Sequence, residues 1–120
     1  MDDRRDFWVA EAERYIADCG ERRSSIRASE FALRVRRTPA QLARQFHASV
    51  GQCVKQYFVR RQLERAKELL RTTARTTQQI AVDAGFGTPR TFYRLFKLRT
   101  GLSPTQYRQE SSLAVPDLRH

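Results

Sequence analysis

Laid over itself at an offset of 50, the chain repeats: residues 38–57 match residues 88–107 at seven of twenty positions. The identities are Thr38/Thr88, Pro39/Pro89, Arg44/Arg94, Phe46/Phe96, Gly51/Gly101, Gln56/Gln106 and Tyr57/Tyr107, with Leu42/Phe92 an apolar match. Two copies are too few for a solenoid, whose units gain stability only by stacking in longer series. Two equivalent supersecondary pieces within one domain are therefore expected. A chain of 120 residues buries enough surface for one core without metal or disulfide staples, and a second domain does not fit.

Each copy opens on Thr-Pro, a hydroxyl able to cap free amides followed by a ring whose fixed φ suits the first helical position. Leu42 and Phe46, like Phe92 and Phe96, stand four apart and share one buried face, and Gly51 or Gly101 marks the helix end. At 100° per residue the opposite face follows. It carries Ala40, Arg44 and His47 in the first copy with Ala43 on its flank, and Arg90, Arg94 and Lys97 in the second, with Tyr93 flanking and Thr91 on the other edge. A short apolar helix precedes each, around Phe31 to Val35 and around Ile80 to Ala84, the latter opening on Ile80 and Ala81. Two short helices joined by so tight a turn have the layout of a helix-turn-helix. Gly85 in the second turn suits a left-handed backbone position; Arg36 in the first would hold it at a cost of about 1 kcal/mol.

Between the copies, residues 52–71 read as one helix, with Val59, Leu63, Ala66 and Leu70 on a stripe widened by Tyr57, Phe58 and Leu69 and an Arg60/Glu64 pair in register. Its length, about 30 Å, approaches the ~34 Å turn of a DNA duplex. A further helix is expected from a cap at Asp6 to a stop at Gly20, with Trp8, Ala12, Tyr15, Ile16 and Cys19 on its buried face. Residues 109–120 show no periodicity, contain Pro116 and are expected to form a flexible tail. The fold class is all-α: a first helix-turn-helix unit at about 7–51, a linker helix at about 52–71 and a second unit at about 76–108.

Charge narrows the partner. The net charge is +10, yet residues 1–21 carry −4, so residues 22–120 carry +14, with 17 of their 20 cations arginine. Arginine offers a fork of donors matched to phosphate and to the O6/N7 edge of guanine. A polyanion is the first partner to consider, the bland alternative being a cation-rich solvated surface. Cys19 and Cys53 form no disulfide framework, and with His47 and His120 give no zinc spacing, so both are assigned to the core and neither metal nor cofactor is expected. No apolar run approaches a membrane span and no signal peptide is visible, which points to a cytoplasmic protein. There is no phosphate-cradling glycine loop, no paired Cys/His motif and no carboxylate cluster, so no enzyme is expected.

Phe58 to Leu70, then Ile80-Ala81, Gly85-Phe86, Phe92-Tyr93-Arg94-Leu95-Phe96-Lys97 and Gly101-Leu102-Ser103-Pro104-Thr105-Gln106-Tyr107-Arg108 resemble the signature of the AraC/XylS family of bacterial transcription regulators. The resemblance covers about residues 7–108. It implies a seven-helix DNA-binding domain, an AraC-type domain at 1–108, in which two helix-turn-helix units are joined by a long helix. The chain is similar either to a small stand-alone member or to the DNA-binding domain of a longer regulator. Two departures stand out: Arg36 replaces the usual Gly, and Ala40 and Ala43 replace the larger readers of small stand-alone members.

The resemblance implies that Arg44 and Arg94 contact bases. Arg90 is assigned to base reading and Lys97 to a phosphate, Thr91 to the edge of the interface, Gln41 and His47 to a phosphate or to plain surface, and Ala40 and Ala43 to a thymine methyl or to close approach. The amides at Thr88 can meet a phosphate. Arg34, Arg36, Arg37, Arg60, Arg61 and Arg65 are further phosphate candidates, though a solvated face suits the linker ones better. The expected function is an activator that binds double-stranded DNA as a monomer, in the cytoplasm on the nucleoid, through adjacent major grooves; its acidic first helix could contact RNA polymerase. A non-specific nucleic-acid or scaffold protein is the alternative.

Overall fold

Seven helices occupy the residues described by the computed structural model, 3–114. They are α1 (Asp3–Arg22), α2 (Ala28–Arg34), α3 (Pro39–Val50), α4 (Val54–Thr72), α5 (Thr77–Asp83), α6 (Pro89–Thr100) and α7 (Pro104–Ala114), with no strand among the described residues. The chain divides into two compact units within α4, between Arg61 and Gln62. The repeat is visible in the elements: α2 and α5 have seven residues each, α3 and α6 twelve.

Hydroxyls paired with glutamines begin α3, α5 and α7. Thr38 Oγ1 accepts from Gln41 N at 3.1 Å while Gln41 Oε1 accepts from Thr38 N at 2.9 Å. Thr76/Gln79 opens α5, and Ser103/Gln106 opens α7, by the same reciprocal box. At α6 Thr88 caps Thr91 N at 3.2 Å, as the Thr-Pro pattern predicts.

Both helix-turn-helix turns are Schellman closures. After α2, Arg37 N donates to Ala32 O and Arg36 N to Leu33 O; after α5, Phe86 N donates to Ala81 O and Gly85 N to Val82 O. The residue between must be left-handed. Arg36 stands at φ 58° and Gly85 at φ 82°, so the predicted strain falls on the arginine of the first turn. The second turn is one residue longer, and the extra residue is Gly87, also left-handed at φ 85°.

Unit 1 packs α1 and α2 on α3 around Trp8, Tyr15, Phe31, Phe46, Tyr57 and Phe58. Phe46 is fully buried, with ring centroids of Tyr57 at 5.5 Å and Trp8 at 6.0 Å, each edge to face. Unit 2 packs α5 and α7 on α6, with Ile80, Ala81, Phe86, Phe92 and Phe96 buried and Phe96 meeting Tyr107 at 5.4 Å. Leu42 is buried in unit 1, so every residue assigned to the core from the Thr-Pro helices and from Ile80-Ala81 is buried in one unit or the other.

Several boundaries differ from the sequence reading. Helix α1 begins at Asp3, so Asp6 sits in its first turn, where it complements the helix dipole rather than capping. It passes through Gly20 and stops at Arg23, left-handed at φ 55°, where Ser24 N reaches Cys19 O and Arg23 N reaches Gly20 O. The linker begins at Val54. Cys53, assigned to the core, is half-buried and its Sγ accepts from Gln56 N at 3.4 Å, the position Ser103 holds before α7. Cys19 is buried as expected. Helix α7 carries the chain to Ala114, so 109–114 are helical where a tail was expected; 115–120 lie outside the described residues.

Candidate nucleic-acid interface

The outward faces of α3 and α6 follow from how each helix is buried. With Leu42 and Phe46, or Phe92 and Phe96, turned inward, Ala40, Ala43, Arg44 and His47 are exposed on α3, and Arg90, Arg94 and Lys97 on α6. Thr88 is exposed at the start of α6. Gln41 and Thr91 are half-buried on the edge of the same faces. Both belong to caps: the Gln41 carboxamide oxygen is held by Thr38 N, and the Thr91 hydroxyl accepts from Thr88 Oγ1 at 3.0 Å.

The charge on these faces is unopposed. Neither α3 nor α6 contains an Asp or Glu. Among the described residues, Arg44, Arg90, Arg94 and Lys97 make no ion pair and no side-chain hydrogen bond. Several acids are paired on other elements. Glu13 takes both arms of Arg61, at 2.8 and 2.7 Å; Asp18 pairs with Arg34 at 2.5 Å, Asp83 with Arg75 at 2.5 Å and Glu30 with Arg22 at 3.5 Å. Unpaired guanidinium groups beside exposed small or flat side chains can meet a phosphate or the acceptor edge of a guanine without first breaking a bond.

Some arginines grouped with the interface by sequence are structural. Arg37 donates to Gln45 Oε1 at 3.0 Å and to Val35 O at 2.9 Å, with its guanidinium 5.8 Å from the Trp8 ring centre. Arg34 and Arg61 are held by Asp18 and Glu13, and Arg60 lies over Tyr57 at 5.2 Å. Arg36 is exposed on the turn leading into α3.

The Glu13 cluster also shapes the titration of unit 1. The Arg61 guanidinium bonded to Glu13, helped by the Tyr57 hydroxyl 2.6 Å away, holds that carboxyl below its ordinary 4.5 against the opposing effect of burial. Burial and the adjacent Glu13 push the Tyr57 hydroxyl up to about 12. Burial also raises Tyr15, whose hydroxyl accepts from Arg27 N at 2.9 Å and donates to Glu30 at 2.8 Å.

Two supporting residues escaped the sequence reading. Gln62 is buried, and its Nε2 donates to Gly85 O at 2.8 Å, tying α4 to the turn before α6. Arg108 donates to the carbonyls of Leu70, Thr73 and Arg75 at 3.1, 3.2 and 2.7 Å, closing the C-terminal end of α4. For Arg108 a signal existed, a lone arginine after an aromatic at the end of the repeat. For Gln62 there was none, because a glutamine on a polar-rich helix looks like surface.

Comparison with known proteins places this geometry. Residues 31–110 match the family described as Helix-turn-helix domain. The HTH-type transcriptional regulator Rv1931c of Mycobacterium tuberculosis is 39% identical over 83 residues, which are 69% of this chain and 32% of that protein. The HTH-type transcriptional regulator CdhR of Pseudomonas aeruginosa is 31% identical over 87 residues, 72% of this chain and 26% of that protein. This chain thus spans a third or less of the length of either regulator. The DNA-binding domain of the global transcriptional factor AdpA, solved in complex with a target DNA, shares the fold with a TM-score of 0.75 at 22% identity, over 88% of this chain and 96% of that one.

Proposed function

The chain belongs to the AraC-type helix-turn-helix family of DNA-binding transcription regulators, and from that premise we propose that it binds double-stranded DNA sequence-specifically, with α3 and α6 as the reading helices in adjacent major grooves. One observation carries the proposal. Both repeat helices are free of acids and leave their cations unpaired, while Glu13, Asp18 and Asp83 are paired with arginines on other elements.

Arg44 and Arg94 take the base contacts, each able to pair two-pronged with a guanine for about 1–3 kcal/mol of discrimination. Arg90 reads a neighbouring base and Lys97 clamps a phosphate, since an ammonium is a point charge without a fork. Ala40 and Ala43 let the backbone of α3 approach closely, with His47, Gln41, Thr88 and Thr91 at the margin, where the helix starts offer amides to phosphate. In this role the chain acts as an activator in the cytoplasm, bound to the nucleoid as a monomer and touching RNA polymerase through α1.

Selection of bound duplexes from a random library at physiological salt tests the reading. An asymmetric motif with two informative blocks about one helical turn apart is expected. Arg94→Ala is expected to erase information in one block and Arg44→Ala in the other; equal recovery of every sequence would refute specific reading. Variants of α1 that bind the motif but fail to stimulate transcription in vitro are expected if that helix contacts the polymerase.

A further inference from the structure

The outward face of α6 is continued by a side chain from the next helix. Tyr93, on the flank of that face, is 38% exposed, and its Oη lies 3.2 Å from Oγ1 of Thr105 in the first turn of α7. Its ring meets the buried ring of Phe92 edge-on at 6.3 Å. The tyrosine is therefore fixed at both ends, by the core at its root and by α7 at its tip. With Arg90, Arg94, Lys97, Ser103 and Gln106 it lines a shallow groove along α6.

Unit 1 has no equivalent. Fifty positions earlier stand Ala43 and Lys55, and an alanine methyl cannot reach across to the next helix. At this place the two copies are furnished differently, with a large anchored ring in one and only a methyl group in the other.

In the major groove, base pairs present donors, acceptors and one apolar group, the C5-methyl of thymine. Arg90 and Arg94 can satisfy acceptors only. The ring of Tyr93 is the apolar surface beside them, and because it is held in place it loses little freedom on contact. We propose that Tyr93 is a specificity-determining residue that reads the C5-methyl of a thymine next to the base contacted by Arg94, and that Thr105 positions it. The proposal rests on the DNA-reading role assigned to α6 above.

Uracil differs from thymine by that methyl alone. Each thymine in the block read by unit 2 is replaced singly by uracil in the selected duplex, and binding is measured by fluorescence anisotropy. At one position the protein is expected to lose affinity about four-fold, the effect of returning one methyl group to water. Tyr93→Ala is expected to bind the two duplexes equally there. Tyr93→Phe and Thr105→Val, which each break the tether, lower the thymine-to-uracil ratio, and Thr105→Ser, which keeps the hydroxyl, retains it.

Equal binding of all the uracil duplexes by the unmodified protein would overturn the proposal, and needs no variant to fold. So would an unchanged ratio in Tyr93→Ala, or a Tyr93→Phe variant weakened equally on both duplexes, the mark of a hydroxyl on a phosphate instead. If no sequence is enriched in the initial selection, the DNA-reading role itself falls, a failure distinct from loss of the methyl effect within a motif that is still recognised.

Discussion

Removing Arg108 should destabilise unit 2 far more than a half-exposed surface arginine ordinarily would. Its guanidinium reaches three carbonyls, two of them partly buried and one exposed: Leu70 in the last turn of α4, where carbonyls have no helical amide partner, and Thr73 and Arg75 in the connection that follows. A charge-assisted bond contributes about 1.5 kcal/mol where partly buried and about 0.5 kcal/mol where exposed, so three give roughly 3.5 kcal/mol. Immobilising the arginine takes back about 1 kcal/mol. Arg108→Ala should therefore lose about 2 to 3 kcal/mol, which at a urea dependence near 1 kcal/mol per molar moves the midpoint by about 2 M. Arg108→Lys should recover only about a third of that, because one ammonium cannot span three carbonyls. Far-UV circular dichroism follows both units during urea titration, while fluorescence of Trp8, the single tryptophan, follows unit 1. A loss under about 0.5 kcal/mol in Arg108→Ala, or full stability in Arg108→Lys, would show that the carbonyls are served equally well by water and would refute the reasoning.

Phe46→Ala should cost about 3–5 kcal/mol, since the ring is fully buried and packed edge to face against Trp8 and Tyr57, and Trp8 emission in buffer should already resemble that of an unfolded chain. Arg61 holds the Glu13 carboxyl below its ordinary 4.5, so this pair contributes stability above that pH and loses it as pH falls through the lowered value; melting from pH 7 to pH 3 should show a shallower acid limb in Glu13→Gln. Tyr57 acts at the other end: raised to about 12, it contributes below its ordinary 10.0 and fails as pH climbs through about 12, a limb that Tyr57→Phe should flatten. Arg36→Gly relieves about 1–2 kcal/mol of left-handed strain while giving the unfolded chain about 0.5–1 kcal/mol more entropy, so thermal unfolding should show a variant equal to or slightly more stable than the parent; a marked loss would mean that the side chain holds the turn.

What could be read from the sequence was whatever repeats or alternates. The Thr-Pro starts, the buried Phe46 and Phe96, the outward arginines and the left-handed backbone at Arg36 all follow from two copies checking each other. Reading failed where single residues act against their type. Gly20 looked like a stop, yet its surroundings are open and the helix runs on to a Schellman closure at Arg23, a residue with no intrinsic preference for that conformation. Cys53 caps a helix with sulfur, a role ordinarily filled by oxygen. Helix α7 continues past Tyr107 and is tied to α4 through Arg108 and the Leu70 carbonyl, a tertiary bond that no periodicity records. On the outward faces of α3 and α6 the exposed cations were foreseen by face, but not that Arg34, Arg37 and Arg61 would be withdrawn into structure, since pairing across elements depends on the fold.

Helix α4 belongs to both compact units, which meet between Arg61 and Gln62 in its middle. Neither unit can be excised cleanly. A cut at that point would leave each fragment a stub of α4 shorter than the roughly 12–15 residues at which a helix becomes marginal in water, held only by one face. In the intact chain α4 is one continuous helix of 19 residues, so a single nucleation event suffices for the halves in both units. The costly nucleation of one helix thus serves both copies of the repeat.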